Sequence, residues 1–160
     1  MKTKLNLNSI LFLIAFGIIT IIALMLIWTS TCRPFKIVKL DDMKQANYDD
    51  YLNKKGFKFG DEDSESYYVY IYSDDYETND WYKDIVIEYA NYSRTHSSTR
   101  PIYAYNLDIK ENEKLINDLG TSVTLGKDIP GLVLVKNKSI NTKYYTYAKL
   151  NNELTDAMNK

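Results

Sequence analysis

A nineteen-residue apolar segment near the amino terminus constrains this chain more than any other feature of its sequence. Residues 10–28 read ILFLIAFGIITIIALMLIW and carry no charge, with Gly17 and Thr20 as the main interruptions. A helix over them would rise about 28 Å at ~1.5 Å per residue, close to the ~30 Å hydrocarbon core of a bilayer. A core helix of a globular domain would need a polar stripe, which this segment lacks. The segment therefore predicts one transmembrane helix over residues 10–29.

The flanks of this segment are typical of a membrane anchor. Trp28 stands at one end, where an amphipathic ring favours the membrane interface, and Lys2, Lys4 and Arg33 flank the segment. The alternative is a cleaved signal peptide, but its apolar core usually spans ~7 to 15 residues and no A-x-A-like site follows Trp28. We expect the segment to be retained as a signal anchor. Its orientation is not fixed by charge, because the basic residues on its two sides are balanced.

Charge divides the chain into two chemically different parts. Residues 1–40 carry five basic residues and no acidic ones, whereas residues 41–160 hold 15 basic and 21 acidic residues, a net charge of -6. An acidic domain argues against a nucleic-acid partner, since phosphate binding depends on clustered Lys and Arg. The length of 160 residues leaves room for one domain beside the anchor. We predict a short basic segment over residues 1–9, a transmembrane helix over 10–29, a linker over 30–34 and one domain over 35–160.

The sequence offers no recognisable catalytic or metal-binding set. Cys32 is the single cysteine, which excludes an intramolecular disulfide, a C-x-x-C pair and a multi-cysteine zinc site. The residues before Cys32 only loosely resemble a lipoprotein cleavage box, so a juxtamembrane thiol without a role is favoured over lipidation. His96 is the single histidine, and the acidic residues 60–66 lack the spacing of a calcium loop. We expect no cofactor, no metal and no enzymatic activity.

The remaining chain alternates strand and helix patterns. Residues 67–72 (YYVYIY) are rich in aromatic and β-branched residues and are bounded by acidic turns, which predicts a strand. Residues 35–40 alternate like a short strand, and Asp41 and Asp42 are suited to cap a helix over 43–54 that ends before Gly56. The other predicted elements are a helix from Trp81 with apolar positions Ile85, Tyr89 and Tyr92, a strand over 102–106, a helix over 111–119, a hairpin of strands 132–135 and 144–148, and a helix over 151–158.

The resulting order, β-α-β-α-β-α-β-β-α, resembles the thioredoxin fold. Residues 128–137 (DIPGLVLVKN) are similar to the cis-proline motif of that family, in which Ile-Pro leads into an apolar strand and a Lys-Asn turn. The resemblance covers about residues 35–160 and implies an α/β domain, a three-layer sandwich with a central mixed sheet. The chain is most similar to membrane-anchored thioredoxin-like proteins of low-GC Gram-positive bacteria, including the bacteriocin transport accessory group. Its 17 Lys against 3 Arg are typical of the AT-rich codons of such bacteria.

The same resemblance implies that this chain lacks the cysteines needed for the redox chemistry of the family. The C-x-x-C positions fall on Tyr76, Glu77, Thr78 and Asn79, so both cysteines are missing. Dithiol exchange needs one thiolate to attack and a second to resolve the mixed disulfide, and a phenol and an amide perform neither step. What the resemblance still implies is a platform that holds an extended peptide through backbone hydrogen bonds. Its candidate binding residues are Tyr76, Glu77, Thr78, Asn79, Ile129 and Pro130.

Two further patterns allow a functional and a structural interpretation. The carboxylates of Asp74, Asp75, Glu77 and Asp80 suit a cation or basic-peptide site, or they favour a helix N-terminus by ~0.3 to 1 kcal/mol each. The fifteen tyrosines suit an aromatic recognition face, or half-buried sheet packing. The structural interpretation is favoured in both cases.

These observations predict a single-pass membrane protein with an extracytoplasmic, redox-inactive thioredoxin-like domain. Its expected role is that of a binding or accessory module in envelope or export-related interactions. The expected partners are the membrane and another protein or extended peptide, with no nucleic acid. One alternative is an oxidoreductase or chaperone partner acting with the thiols of another protein. A further alternative is a structural subunit of a membrane complex without a peptide groove.

Overall fold

The computed structural model describes residues 6–31, 36–49, 58–60, 62–75, 80–119 and 128–160. It divides into two compact units, residues 1–35 and 36–160. The first unit contains helix α1, Leu7–Thr31. Within the described part of the chain, this helix alone is long and apolar enough to cross a membrane, over Ile10–Ile27. Its large apolar side chains in that window are exposed, as a lipid-facing surface requires.

The second unit is built on a mixed sheet of six described strands. The strands are β1 Asn47–Asp49, β2 Lys58–Gly60, β3 Ser66–Tyr72, β4 Ile102–Asn106, β5 Gly131–Lys136 and β6 Ser139–Tyr144, and the helices are α2 Asp80–Thr95, α3 Glu113–Leu119 and α4 Tyr147–Met158. Their order in the sheet is β1-β2-β6-β5-β3-β4. β3 pairs parallel to β4 across the α2 crossover and antiparallel to β5, which forms a hairpin with β6. This is the thioredoxin-like α/β fold that the sequence predicts.

Strand β3 is buried on both faces, which explains why its sequence is apolar or aromatic throughout. Tyr68, Tyr70 and Tyr72 pack in the core beneath α2 and α4. The alternate residues belong to the core of the opposite face, which the β1–β2 hairpin and α3 cover. Edge-to-face contacts join Tyr68 to Tyr89 of α2, with ring centroids 5.6 Å apart. Sheet packing is therefore confirmed as the role of the β3 tyrosines.

Two of the buried tyrosines have hydroxyl groups with no hydrogen-bond partner among the described residues, Tyr70 and Tyr145. A buried unsatisfied hydroxyl costs about 1 to 3 kcal/mol. We therefore expect Tyr70→Phe to raise the free energy of unfolding by about 1 kcal/mol, measured by urea denaturation of the full chain in detergent micelles. Tyr67→Phe is the matched control and should lower it, because the Tyr67 hydroxyl donates to Glu62 Oε2 at 2.7 Å. A lower stability of Tyr70→Phe would show that its hydroxyl is satisfied in solution.

The segment before β1 departs from the prediction. Residues 36–38 form no strand, Leu40–Asp42 form a 3-10 turn, and Gln45 makes a parallel bridge to Ala104. The predicted strand over 35–40 and helix over 43–54 are therefore wrong in their described parts, while residues 35 and 50–54 lie outside the described residues. The apolar residues here recur every three positions and imitate a helix, but they are buried in different places. Ile37, Leu40 and Met43 pack in the core beneath α2, whereas Ala46 packs in the core of the opposite face.

The hairpin and the last helix also differ from the prediction. Asn137 and Lys138 adopt φ values of 51° and 63°, so the chain reverses within two residues, and pairing resumes at Ser139 opposite Lys136. β6 consequently occupies residues 139–144 rather than 144–148. α4 begins at Tyr147, four residues earlier than expected. The tight turn, and not the aromatic run that follows it, sets the register.

Candidate functional site

The candidate site lies at the carboxyl ends of the parallel strands β3 and β4, where α/β sheets commonly bind ligands. After Tyr72 the chain continues through a turn at Asp74 and Asp75, and α2 begins at Asp80. Ile71 pairs with Gly131, so Pro130 lies beside the last residue of β3. The predicted binding residues Tyr76, Glu77, Thr78 and Asn79 lie outside the described residues.

The other two predicted site residues differ in accessibility. The Ile129–Pro130 peptide bond is cis. Ile129 is fully buried and belongs to the core of the sheet face that the β1–β2 hairpin and α3 cover, so its side chain is not available to a ligand. Pro130 is half-buried and can be reached from outside. Of these two residues, the backbone of Ile129 and the ring of Pro130 are therefore the parts that a ligand can contact, while residues 76–79 stay a prediction.

Gly131 holds this loop close to the ring of Tyr145. A Cβ at position 131 would come within 2.6 Å of Tyr145 Cδ1 and 2.8 Å of the Asp128 carbonyl oxygen. Real Cβ atoms do not approach other atoms so closely. The absence of a side chain at Gly131 is therefore what allows the proline loop to pack against Tyr145.

We expect Gly131→Ala to lower the free energy of unfolding by about 1 to 3 kcal/mol, because both the ring and the backbone carbonyl must move. The measurement is the urea midpoint of the full chain in detergent micelles. Gly17→Ala is the control, since a Cβ there would meet nothing within 4 Å. Equal midpoints for Gly131→Ala and the wild type would contradict the packing described here.

A carboxylate joins the ends of β3 and β4. Asp108 Oδ1 accepts a hydrogen bond from Ser73 Oγ at 2.6 Å, and Asp108 Oδ2 accepts one from the backbone N–H of Asp74. The Asp108 N–H in turn donates to Asn106 Oδ1 at 2.9 Å. Ser73 and Asn106 are the buried polar residues of the described core, with 1% and 8% exposure. This network fixes the first residues of the loop that leads from β3 to α2.

A cleft opens between residues 38–41 and the first turns of α2, with a volume of about 290 Å³. Its lining combines four carboxylates, two lysines and three apolar side chains: Asp41, Asp74, Asp80, Asp84, Lys39, Lys83, Val38, Leu40 and Ile87. Neither Ile129 nor Pro130 lines it. The Tyr72 hydroxyl donates to Asp41 Oδ1 at 3.3 Å. Burial, with Asp41 and Asp74 nearby, raises the pKa of the Tyr72 phenol.

The cleft favours positively charged or hydrogen-bond-donating groups. Its carboxylates outnumber its ammonium groups by two, and its apolar residues offer contact area for an aliphatic side chain. The described residues contain no group of three or more side chains placed to hold a metal ion. The charge of this lining complements that of a lysine or arginine side chain.

Trp81, the second residue of α2, is exposed and does not line the cleft. The sequence pattern places it on the buried face of α2, yet 63% of its surface is accessible. Its ring lies 6.1 Å from that of Tyr147, which makes an edge contact with Tyr82 at 5.2 Å. The exposed indole therefore contacts Tyr147 and follows Asp80, the first residue of α2.

The sequence did not identify Asp108 or the cleft as parts of a site. A signal for Asp108 existed, because Ser73 and Asp108 each follow a strand of a predicted parallel pair closely, and such residues meet at one sheet edge. His96, in contrast, is exposed and stacks on Tyr92 at 3.8 Å near the other end of α2. It contributes nothing to the cleft.

Neither models of protein families nor curated proteins match this chain. Among solved structures, it is similar to the solution structure of the oxidised thioredoxin from Plasmodium falciparum. The two share 17% sequence identity, with a TM-score of 0.37, over 57% of this chain and 80% of that chain. The thioredoxin-like fold described above rests on strand order and connections.

Proposed function

We propose that this protein is a single-pass membrane protein whose thioredoxin-like domain binds an extended polypeptide segment and has no redox activity of its own. The proposal depends on one observation: the domain has a thioredoxin-like fold, yet the only cysteine of the chain is Cys32, which lies outside the domain. Thiol–disulfide exchange needs thiolates, whereas peptide binding at the carboxyl end of β3 needs none. The role fits an accessory protein in envelope or export-related interactions.

The geometry of the site supports a basic segment as the partner. The half-exposed Pro130 lies on the β5 side of the β3 end, and the carboxylate-rich cleft lies on the α2 side. A segment that crosses the end of β3 would contact the proline loop with its backbone and place a Lys or Arg side chain in the cleft.

Binding can be tested with labelled decapeptides of alternating Lys and Ser or alternating Glu and Ser. The full chain in nanodiscs is expected to bind the Lys–Ser peptide and not the Glu–Ser peptide, measured by fluorescence anisotropy. The double variant Asp80→Asn, Asp84→Asn should weaken binding about tenfold or more, since ~1.4 kcal/mol is tenfold. Glu88→Gln is the matched control, because Glu88 is exposed on the same helix and does not line the cleft. Equal binding of both peptides, or of both variants, would refute the basic-segment proposal.

The proposal predicts that the full chain reduces insulin disulfides with dithiothreitol no faster than the uncatalysed background. The physical reason is the missing second thiolate. Cys32→Ser is the control and should give the same rate as the wild type. Turnover above background that Cys32→Ser abolishes would favour the oxidoreductase alternative.

Retention of α1 as an anchor, with the domain outside the cytoplasmic membrane, belongs to the same proposal. It is supported by the length and apolar surface of Ile10–Ile27. Protease added to intact cells is expected to degrade the domain, and carbonate extraction should leave the chain in the membrane. Degradation only after lysis would place the domain in the cytoplasm instead.

A further inference from the structure

Residues 36–43, here called the strap, connect the segment after α1 to the sheet and lie along α2. Three of their side chains, Ile37, Leu40 and Met43, are buried in the core beneath α2. Val38, by contrast, is 71% exposed. The strap therefore has a buried side that packs on the domain and an outer side that faces solvent.

One side chain of α2 holds the backbone of the strap. Asn91 Oδ1 accepts a hydrogen bond from the Ile37 N–H at 2.9 Å, and Asn91 Nδ2 donates to the Ile37 carbonyl at 2.8 Å. The second Nδ2 hydrogen serves the Ile87 carbonyl at 3.0 Å. The side-chain amide of Asn91 thus provides the acceptor and the donor that a neighbouring strand would otherwise provide to the backbone of Ile37. Farther along, the Tyr72 hydroxyl donates to Asp41, so the strap is held at two points.

The strap also forms one wall of the cleft. Four consecutive strap residues line it, from Val38 to Asp41, and the opposite wall consists of residues from the first two turns of α2. Asn91 holds the strap on α2 one helical turn beyond Ile87, the last cleft residue on that helix. The cleft therefore exists only while the strap is docked.

We propose that docking of the strap and occupancy of the cleft are thermodynamically coupled, with Asn91 as the residue that positions the strap. This inference rests on the proposed function, because it concerns the same site. A ligand that binds only the docked state stabilises it, and docking raises affinity by the same factor. In the sequence, the strap follows α1 after the four residues 32–35.

The test combines amide hydrogen exchange with peptide titration on the full chain in nanodiscs. Asn91→Leu removes both hydrogen bonds to Ile37 and is expected to lower protection of the Ile37 amide at least tenfold, while the β3 and β5 amides keep theirs. Affinity for the Lys–Ser decapeptide should fall by the factor by which the docked fraction falls, because only the docked state has the complete cleft. In the wild type, saturating peptide should slow exchange of the Ile37 amide. Asn91→Asp keeps an acceptor for the Ile37 N–H and should give intermediate values if the leucine variant folds poorly.

Ser93→Ala is the matched control, because the Ser93 hydroxyl bonds only within α2, to the Ala90 carbonyl. It should leave strap protection and peptide affinity unchanged. Binding of the Lys–Ser decapeptide to the wild type without slower exchange of the Ile37 amide would overturn the coupling, and unchanged protection in Asn91→Leu would overturn the role of Asn91. If the wild type binds neither peptide, the proposed function fails and the coupling fails with it. That result is distinct from a wild type that binds the Lys–Ser peptide but exchanges the Ile37 amide as fast as it does without peptide.

Discussion

Raising the pH above 10 is expected to unfold the second unit in one cooperative step. Nine tyrosines have a pKa raised above the ordinary value of 10, with burial as the largest cause in each: Tyr67, Tyr68, Tyr70, Tyr72, Tyr89, Tyr103, Tyr105, Tyr144 and Tyr145. For Tyr89 and Tyr145 burial raises the pKa to about 12. The folded state therefore keeps protons that the unfolded chain loses above pH 10. Stability from this source is complete below pH 10 and falls as the pH rises toward 12 and beyond.

The size of this effect is large against the stability of a small domain. One pKa unit corresponds to about 1.4 kcal/mol, so ionisation of Tyr89 alone lowers the free energy of unfolding by on the order of 2 kcal/mol at high pH. Domains of this size have a free energy of unfolding of about 5 to 15 kcal/mol. Ionisation of a few buried tyrosines therefore suffices to unfold such a domain. Acidic neighbours add to burial, as Glu62 does beside Tyr67.

The measurement is a pH titration of the full chain in detergent micelles, followed by phenolate absorbance and by far-ultraviolet circular dichroism. Most of the phenolate signal should appear together with the loss of β structure, at a pH above 10. Tyr70→Phe is the control variant and should shift the transition upward, since it removes one group that ionises only on unfolding. A full phenolate signal that develops near pH 10 with unchanged circular dichroism would contradict the buried placement of these tyrosines.

The central elements could be predicted because their sequences allow one interpretation. β3 and β4 are aromatic and β-branched runs bounded by polar turns, and the predicted strand over 102–106 agrees with the structure residue for residue. The structure of the segment from Ile37 to Ala46 could not be predicted from its sequence. Apolar residues at three-residue spacing suit a helix, and they equally suit an irregular chain whose side chains pack in two different cores. The local sequence pattern does not distinguish the helix from the irregular segment, because the difference depends on tertiary contacts.

The candidate site was less predictable than the fold, for a related reason. Its polar contacts join residues far apart in sequence, such as Ser73 with Asp108 and Ile37 with Asn91, 35 and 54 positions apart. Single-sequence patterns report on neighbours and on helix or strand faces, and neither reaches these pairs. The resemblance to the cis-proline motif located Pro130 beside the end of β3, but it gave no information on the cleft, whose walls are the strap and α2.

Truncation of Tyr89 is expected to destabilise the second unit by about 3 to 5 kcal/mol, the range for aromatic residues removed from a core. Tyr89 is fully buried, its ring contacts Tyr68 edge to face, and its hydroxyl donates to the Arg100 carbonyl at 2.9 Å. Tyr89→Ala would therefore leave a cavity between α2 and β3 and an unpaired carbonyl before β4. The measurement is the free energy of unfolding in urea, or the yield of folded chain if the loss exceeds the total stability.

Tyr92→Ala is the matched control, because the sequence pattern places both tyrosines on the same face of α2. Tyr92 is only half-buried and stacks on the exposed ring of His96, so its removal should cost about 1 kcal/mol or less. Tyr89→Phe separates the two contributions: it keeps the ring and should lose only the hydrogen bond, about 1 kcal/mol. Equal losses for the two alanine variants would mean that both positions are buried alike, as the sequence pattern alone implies, and that α2 packs on the sheet through a wider face than described here.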